Sequence, residues 1–247
     1  MDSLLRDINR EEGKMRTDVE NLFRHFEKLA GFAHQYLEQS TIEWARLLVT
    51  HPQTLLLIVE TTPISDESGY SYSGEKEPIR LTALHLTSGE IWDQLLHPTY
   101  SKRVQGTEYH GLTATDLEDK PVINEAWPNI AEVLENRHIV VFGLDYARSA
   151  LQSVNHHHAL DSAFCLHNRA KEFYSEFYEL SLEKVLAYQG INKKRDEMKD
   201  SRERVLMLAQ VVRNLAAGMK KQEQKSESTA ESFFDDDDLG DLDSHPF

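Results

Sequence analysis

The sequence predicts an α/β protein, a mixed sheet flanked by helices, on three observations. Residues 54–59 (TLLLIV) and 139–142 (IVVF) are short continuous apolar runs, which suit strands buried on both faces. Residues 79–86 (IRLTALHL) alternate, and the turn Thr87-Ser88-Gly89-Glu90 leads into the apolar 91–96, the pattern of a paired strand. The remaining periodic stretches carry the 3.6-residue repeat of helices.

Taken in order, residues 1–40 read as one long helix. Leu5, Val19, Phe26 and Ala33 recur every seven residues, interleaved with Ile8, Met15, Leu22, Leu29 and Tyr36, and only Glu12 interrupts this heptad seam. Such a helix either packs on its own domain or serves as a coiled-coil arm, for a homodimer through residues 1–40 or for another partner. A second helix is expected over 41–49, ahead of His51-Pro52. After the strand and hairpin come a helix at 124–135, the strand at 139–142 and a helix at 146–154. Three more helical segments follow, at 164–180, 181–189 and about 196–217, with Gly190 breaking between the last two. Beyond Gly218 the polar, low-complexity KKQEQKSESTAES is expected to be disordered. The organisation is therefore an N-terminal helix (1–41), an α/β domain (42–217) and a linker with an acidic tip (218–247).

The 247 residues suffice for one domain with appendages and a real core. No apolar run approaches the ~20 residues of a membrane span, the N-terminus lacks a signal peptide's apolar stretch, and the single Cys165 excludes an internal disulfide framework or a cysteine-based zinc site. These features point to the cytoplasm and to no membrane partner. Taken over the whole chain, the net charge of −15 argues against phosphate-rich partners. Seven of the acids, however, lie in residues 231–247, and removing them from −15 leaves −8 on the other 230 residues. The excess is concentrated in a tail and says little about the body.

An ordered series of segments resembles the DEDDh 3′–5′ exonucleases, the family of the proofreading epsilon subunit of bacterial DNA polymerase. The apolar strand ends in Val59-Glu60-Thr61-Thr62, where that family has D-x-E-T-T-G, and a hairpin follows. Leu96-His97-Pro98 and Tyr109-His110-Gly111-Leu112-Thr113 come next, where the family has a segment like I-H-G-I-T. VVFGLDYARSAL (140–151) is similar to its second motif, V-x-x-Y-N-x-x-F-D-x-x-x-L. SLEKVLAYQGI (181–191) resembles the helix before its third motif, and RDEMKDSRERVLML (195–208) falls where the family has H-x-A-x-x-D. The resemblance covers about residues 42–216 and implies the ribonuclease-H-like exonuclease fold.

It also implies what the site lacks. The family holds two metal ions on four acids and uses a His as general base. Here the first Asp position is Ile58, leaving Glu60. The second-motif Asp position is Ala147, with Gly143 at its usual Asn. The third-motif His position is Arg195, with Asp200 remaining. An Arg there adds positive charge where Mg²⁺ would bind. The resemblance thus implies a catalytically inactive site that needs no cofactor, with Thr61, Thr62, His110, Arg148 and Arg195 as candidate contacts to single-stranded nucleic acid. If the site works in rearranged form, Glu60, Asp200 and Asp145 are its candidate ligands for Mg²⁺ or Mn²⁺.

Other chemistry-bearing residues have plainer readings. Asp66 and Glu67 follow the first strand and could supply acids to it. His156, His157 and His158 with Asp161 show the H-x-x-x-x-D spacing, but they follow Ala147 too soon for the family order, and adjacent histidines on a helix point in different directions. Cys165, between Phe164 and Leu166, reads as a small core residue.

The last 13 residues, DDDDLGDLDSHPF, resemble the acidic tip of bacterial single-stranded DNA-binding proteins. Phe247 offers an apolar anchor beside a free carboxylate, and Pro246 lowers the cost of ordering it. Asp241 and Asp243 suit a basic rim on a receiving protein. The tail therefore reads either as a docking peptide for proteins that recognise that tip or as a solubilising, self-shielding segment.

Overall fold

The computed structural model describes residues 2–65, 74–176, 178, 180–193 and 195–220. Asp66, Glu67 and the tail candidates Asp241, Asp243, Pro246 and Phe247 lie outside the described residues.

The chain opens with a single helix, α1 (Asp2–Thr50), 49 residues long. The two helices expected over 1–40 and 41–49 are one. Gln39 donates to Glu43 one turn on (2.9 Å), and from residue 41 the helix gains a buried face through Ile42, Ala45 and Leu48. Burial of that face, rather than propensity, carries the helix onward, and Pro52 then ends it.

Five strands follow: β1 (Thr54–Pro63), β2 (Lys76–His85), β3 (Ile91–Leu95), β4 (His138–Val141) and β5 (Phe164–Cys165). They form one mixed sheet in the order β3-β2-β1-β4-β5. The β1–β2 and β2–β3 pairs are antiparallel, whereas β1–β4 and β4–β5 are parallel. Residues 164–165, expected in a helix, form the edge strand β5 instead. Cys165 pairs with Val141 there, is only partly buried and packs beside the lower core layer.

The helices are α2 (Thr107–His110), α3 (Ala114–Leu117), α4 (Ile123–Leu134), α5 (Leu144–Gln152), α6 (Leu166–Tyr174), α7 (Leu182–Tyr188) and α8 (Ser201–Ala216). The last begins later than the expected 196. Asp200 caps it by accepting from the Arg202 N–H (3.1 Å), and Arg195–Met198 form a separate 3₁₀ turn. Gly143, at φ +79°, makes the left-handed turn from β4 into α5, a conformation that Gly and Asn adopt most readily.

The alternation of β1 divides the core in two. Leu56 faces one layer with α1, α6, α7 and α8, while Leu55, Leu57 and Val59 face the other with α4 and α5. Burying each such side chain stabilises the fold by ~1.5–3 kcal/mol. The β1–β2 register shifts between Glu60 and Thr61, where Ile79 is left over and Thr61 lies opposite Pro78. A proline inside a central strand cannot donate to the ladder and is tolerated at such an irregularity. The alternation of β1 itself continues through the shift: Glu60, on the Ile58 side, bonds into α8, and Thr61, on the Val59 side, bonds into α5. Among the described residues no helix is long and apolar enough to cross a membrane.

Candidate functional site

Glu60 stands at the β1–β2 register shift, 7% exposed. The buried Ser201 hydroxyl, at the first position of α8, donates to its carboxylate. The Arg204 guanidinium forms an ion pair with the same carboxylate and also reaches Ser201 Oγ (3.3 Å). Burial pushes the Arg204 guanidinium down to about 10, which leaves it charged at neutral pH. The acid is therefore balanced by a cation and a hydroxyl from the helix above it.

Asp200 comes to the same place. Its carboxylate caps α8 and pairs with Arg80 Nη2 (3.1 Å), from the β2 residue directly opposite Glu60. Arg80 also grips Asp93 of β3 with two hydrogen bonds, Nε to Oδ1 at 2.7 Å and Nη2 to Oδ2 at 3.0 Å. Thr82 Oγ1 donates to Asp93 at 2.8 Å and Arg202 Nε at 3.2 Å. Burial alone would raise the Asp93 carboxyl, but the bonds from Arg80 and Thr82 outweigh it and hold the group below its usual range. The result is two neighbouring groups beneath α8: the Glu60–Arg204 pair, and Arg80 with Asp93, Asp200 and Arg202.

This donor set does not fit the two metal ions that the resemblance implies. Glu60 and Asp200 do come together, but their oxygens already meet Arg204, Ser201, Arg80 and the α8 backbone. Ile58 packs against the apolar layer on the α8 side, whereas Ala147 is 2% exposed within the layer on the α4–α5 side. Positions 58 and 147 thus face opposite sides of the sheet. Asp145 is exposed in the first turn of α5. Among the described residues no three His, Cys, Asp or Glu side chains gather in a metal-holding group.

On the α5 side of Glu60 lies a cleft of about 460 Å³. The end of β1, the start of β2, α2 and α5 form its walls. Thr61 Oγ1 bonds the Tyr146 hydroxyl, and the Lys76 ammonium sits 3.8 Å from the centre of the Tyr146 ring. Burial lowers the Lys76 pKa. Tyr146 and Tyr109 are about half exposed, at 46% and 50%, and line the cleft. Thr62 does not face it freely: its hydroxyl accepts from the Gln105 N–H (2.9 Å) and donates to the Arg103 carbonyl.

His110 is 4% exposed and both ring nitrogens serve the backbone. Nδ1 accepts from the Leu112 N–H (3.1 Å), so Nε2 carries the proton that it donates to the Gln105 carbonyl (2.9 Å). It shapes the wall of the cleft. Glu77 braces the neighbouring loop, its carboxylate accepting from the N–H groups of Thr99 (2.7 Å), Tyr100 (3.0 Å) and Ser101. Arg148 donates to the Leu160 carbonyl (2.9 Å) and the Asp161 carbonyl (3.2 Å), tying α5 to the 3₁₀ turn His157–Leu160. The backbone of Arg195 begins the turn that precedes α8.

The three histidines do not share one point. His156 stacks on Trp127 (3.7 Å between ring centres) and bonds Asn124, while the His157 and His158 rings lie 4.0 Å apart and His158 pairs with Asp161 at 3.1 Å.

Sequence reasoning missed Arg204, Ser201, Arg80 and Asp93 in the site, and Tyr146 and Lys76 in the cleft. Spacing offered a partial signal for one: Tyr146 directly precedes Ala147, and the helix phase decides which of the two faces the cleft. Nothing in the linear pattern joins Arg80 to Asp93 or Arg204 to Glu60.

No family model matches the chain, and no curated protein matches it in sequence. Solved structures do match in shape. A 3′-exonuclease described for 3′-end specific recognition of a histone mRNA stem-loop superposes with a TM-score of 0.54 at 12% identity, covering 70% of this chain and 66% of that one. A full-length 3′-exonuclease gives 0.50 at 12% identity, covering 70% and 64%. This chain thus spans just under two thirds of the length of each. The Neurospora crassa Pan2 catalytic unit, comprising protease and nuclease domains, gives 0.52 at 16% identity, covering 68% of this chain and 28% of that one. These similarities carry the architecture, and they agree with the strand order and flanking helices: the chain has the ribonuclease-H-like exonuclease fold.

Proposed function

We propose that this protein is a catalytically inactive member of the exonuclease fold that works as a nucleic-acid-associated binding and recruitment factor. The observation that carries the reading is the engagement of Glu60 by Arg204 and Ser201. A carboxylate neutralised from within the protein is a poor ligand for a divalent ion, because the ion must displace a cation already seated there. The adjoining cleft keeps features that suit a single-stranded end. Tyr146 and Tyr109 offer aromatic rings for base stacking, and Lys76 offers a positive charge for a phosphate. Of the candidate contacts, Thr61 and His110 line that cleft, and Thr62 braces the loop beside it through the Gln105 N–H. The tail supplies the second half of the function: Asp241, Asp243, Pro246 and Phe247 dock on proteins that recognise the tip of single-stranded DNA-binding proteins.

The test is direct. Full-length protein is incubated with end-labelled single-stranded DNA or RNA in Mg²⁺ or Mn²⁺. The expected result is retarded but intact oligonucleotide, with retardation weakened by Tyr146→Ala. Release of nucleotides that disappears on Glu60→Ala or Asp200→Ala would establish the working, rearranged exonuclease instead. Removing Pro246 and Phe247 is expected to abolish capture of single-stranded DNA-binding-protein partners, and unchanged capture would refute the docking role.

A further inference from the structure

α1 stands clear of the body over much of its length. Every residue from Val19 to Ala33 is exposed, and the helix from Asp2 to Ala33 extends about 48 Å at 1.5 Å per residue. The exposed surface is not polar. Leu22, Phe23, Phe26, Leu29, Phe32 and Tyr36 are 56–73% exposed.

The body does not cover this stripe even where it holds the helix. His34, Glu38, Ile42, Ala45 and Leu48 meet α6, α8 and the core: His34 bonds Ser175 (2.6 Å), Glu38 pairs with Lys220 (2.8 Å), and the other three are buried. At 100° per residue these positions centre on a face roughly 140° around α1 from Leu22, Phe26, Leu29 and Tyr36. Most of the apolar side of the helix therefore points away from its own domain.

We infer that α1 pairs with α1 of a second copy of this chain as a two-stranded coiled coil. Two features select this occupant. The stripe repeats every seven residues, with Val19, Phe26 and Ala33 at one seam position and Leu22, Leu29 and Tyr36 at the other. A seven-residue repeat is the signature of a helix supercoiling with another helix. Second, two copies of the stripe bring together on the order of 1,500 Å² of surface, about 750 Å² from each, within the range of specific interfaces and more than the largest patch a monomer usually leaves exposed.

Sedimentation equilibrium of the full chain tests the inference, independently of nucleic-acid binding. The wild type is expected at twice the 28.5 kDa chain mass. Leu22→Asp with Leu29→Asp is expected to weaken self-association by more than ~100-fold, because each Asp strands a charge in an apolar seam. Its melting temperature should hold, since both residues are exposed on the free arm. A wild type that stays monomeric through the micromolar range overturns the inference, as does a double variant that still dimerises or a monomer whose arm is shielded by residues 221–247.

Discussion

The Arg204 guanidinium lies against the Glu60 carboxylate beneath the first turn of α8, with the two side chains only 19% and 8% exposed. The fold places an acid at this strand end, and this chain answers it with an arginine from the helix that crosses it.

That pairing predicts an asymmetric stability response. Removing one partner of a buried ion pair costs ~3–5 kcal/mol, because the other charge is left uncompensated. Arg204→Met should therefore destabilise strongly. Glu60→Gln should also destabilise, because it leaves Arg204 unpaired. The loss should be smaller, since Arg204 is the more exposed of the two (19% against 8%) and the amide still accepts from Ser201. The double variant should recover much of the Arg204→Met loss. Urea denaturation of the four proteins measures the cycle, and a loss under ~1 kcal/mol for Arg204→Met would reduce the pair to a surface bridge.

Asp93 predicts how the protein responds to acid. Its folded pKa is held below the unfolded value, so its stabilising contribution is present above the unfolded carboxylate pKa, ~3.9, and is lost as pH falls through the folded one. The urea midpoint should fall as pH drops below ~4. Asp93→Asn should lower the midpoint at pH 7 and flatten that acid slope. An unchanged slope in the variant would mean that Asp93 is not its source.

His110 should be a neutral Nε2–H tautomer. Its Nδ1 accepts from the Leu112 N–H and its Nε2 donates to the Gln105 carbonyl. Long-range ¹⁵N–¹H correlation spectra distinguish the two ring nitrogens directly. A protonated Nδ1 at pH 7 would break the described arrangement. His110→Ala should release the loop between β3 and α3, read as faster amide exchange at Leu112.

Helix phase on α5 predicts opposite outcomes for two adjacent positions. Ala147→Asp places a carboxylate in the α4–α5 apolar layer and should cost several kcal/mol, ~2–7 by transfer measurements. Tyr146→Asp sits at the cleft and should cost only about the net value of the hydrogen bond to Thr61, ~0.5–1.5 kcal/mol. Thermal melts rank the two, and the reverse order would overturn the assigned phase.

The strands and most helices were legible in the sequence, because continuous and alternating apolar runs have few ways to be buried. Residues 54–59, 79–86 and 139–142 could hardly be other than β1, β2 and β4. Local rules failed where two structures share one composition. Phe164-Cys165 reads as the start of a helix and becomes an edge strand because Val140 and Val141 offer it a partner. Residues 1–50 read as two helices and form one, because burial begins at residue 41 without a break in the backbone.

The site was legible only on one side. The sequence by itself identified Glu60 and Asp200 as surviving acids, Ile58 and Ala147 as apolar replacements, the heptad seam of α1 and the concentration of charge in the tail. Each of these is a property of residue identity and spacing. Which cation meets which acid was decided by tertiary structure: Arg204 lies 144 positions from Glu60, and the two meet only because α8 crosses the end of β1. The alternation of β1 likewise sends Glu60 towards α8 and Thr61 towards Tyr146. Spacing fixes that neighbouring residues point to opposite faces, and only the packed sheet decides which face meets α8.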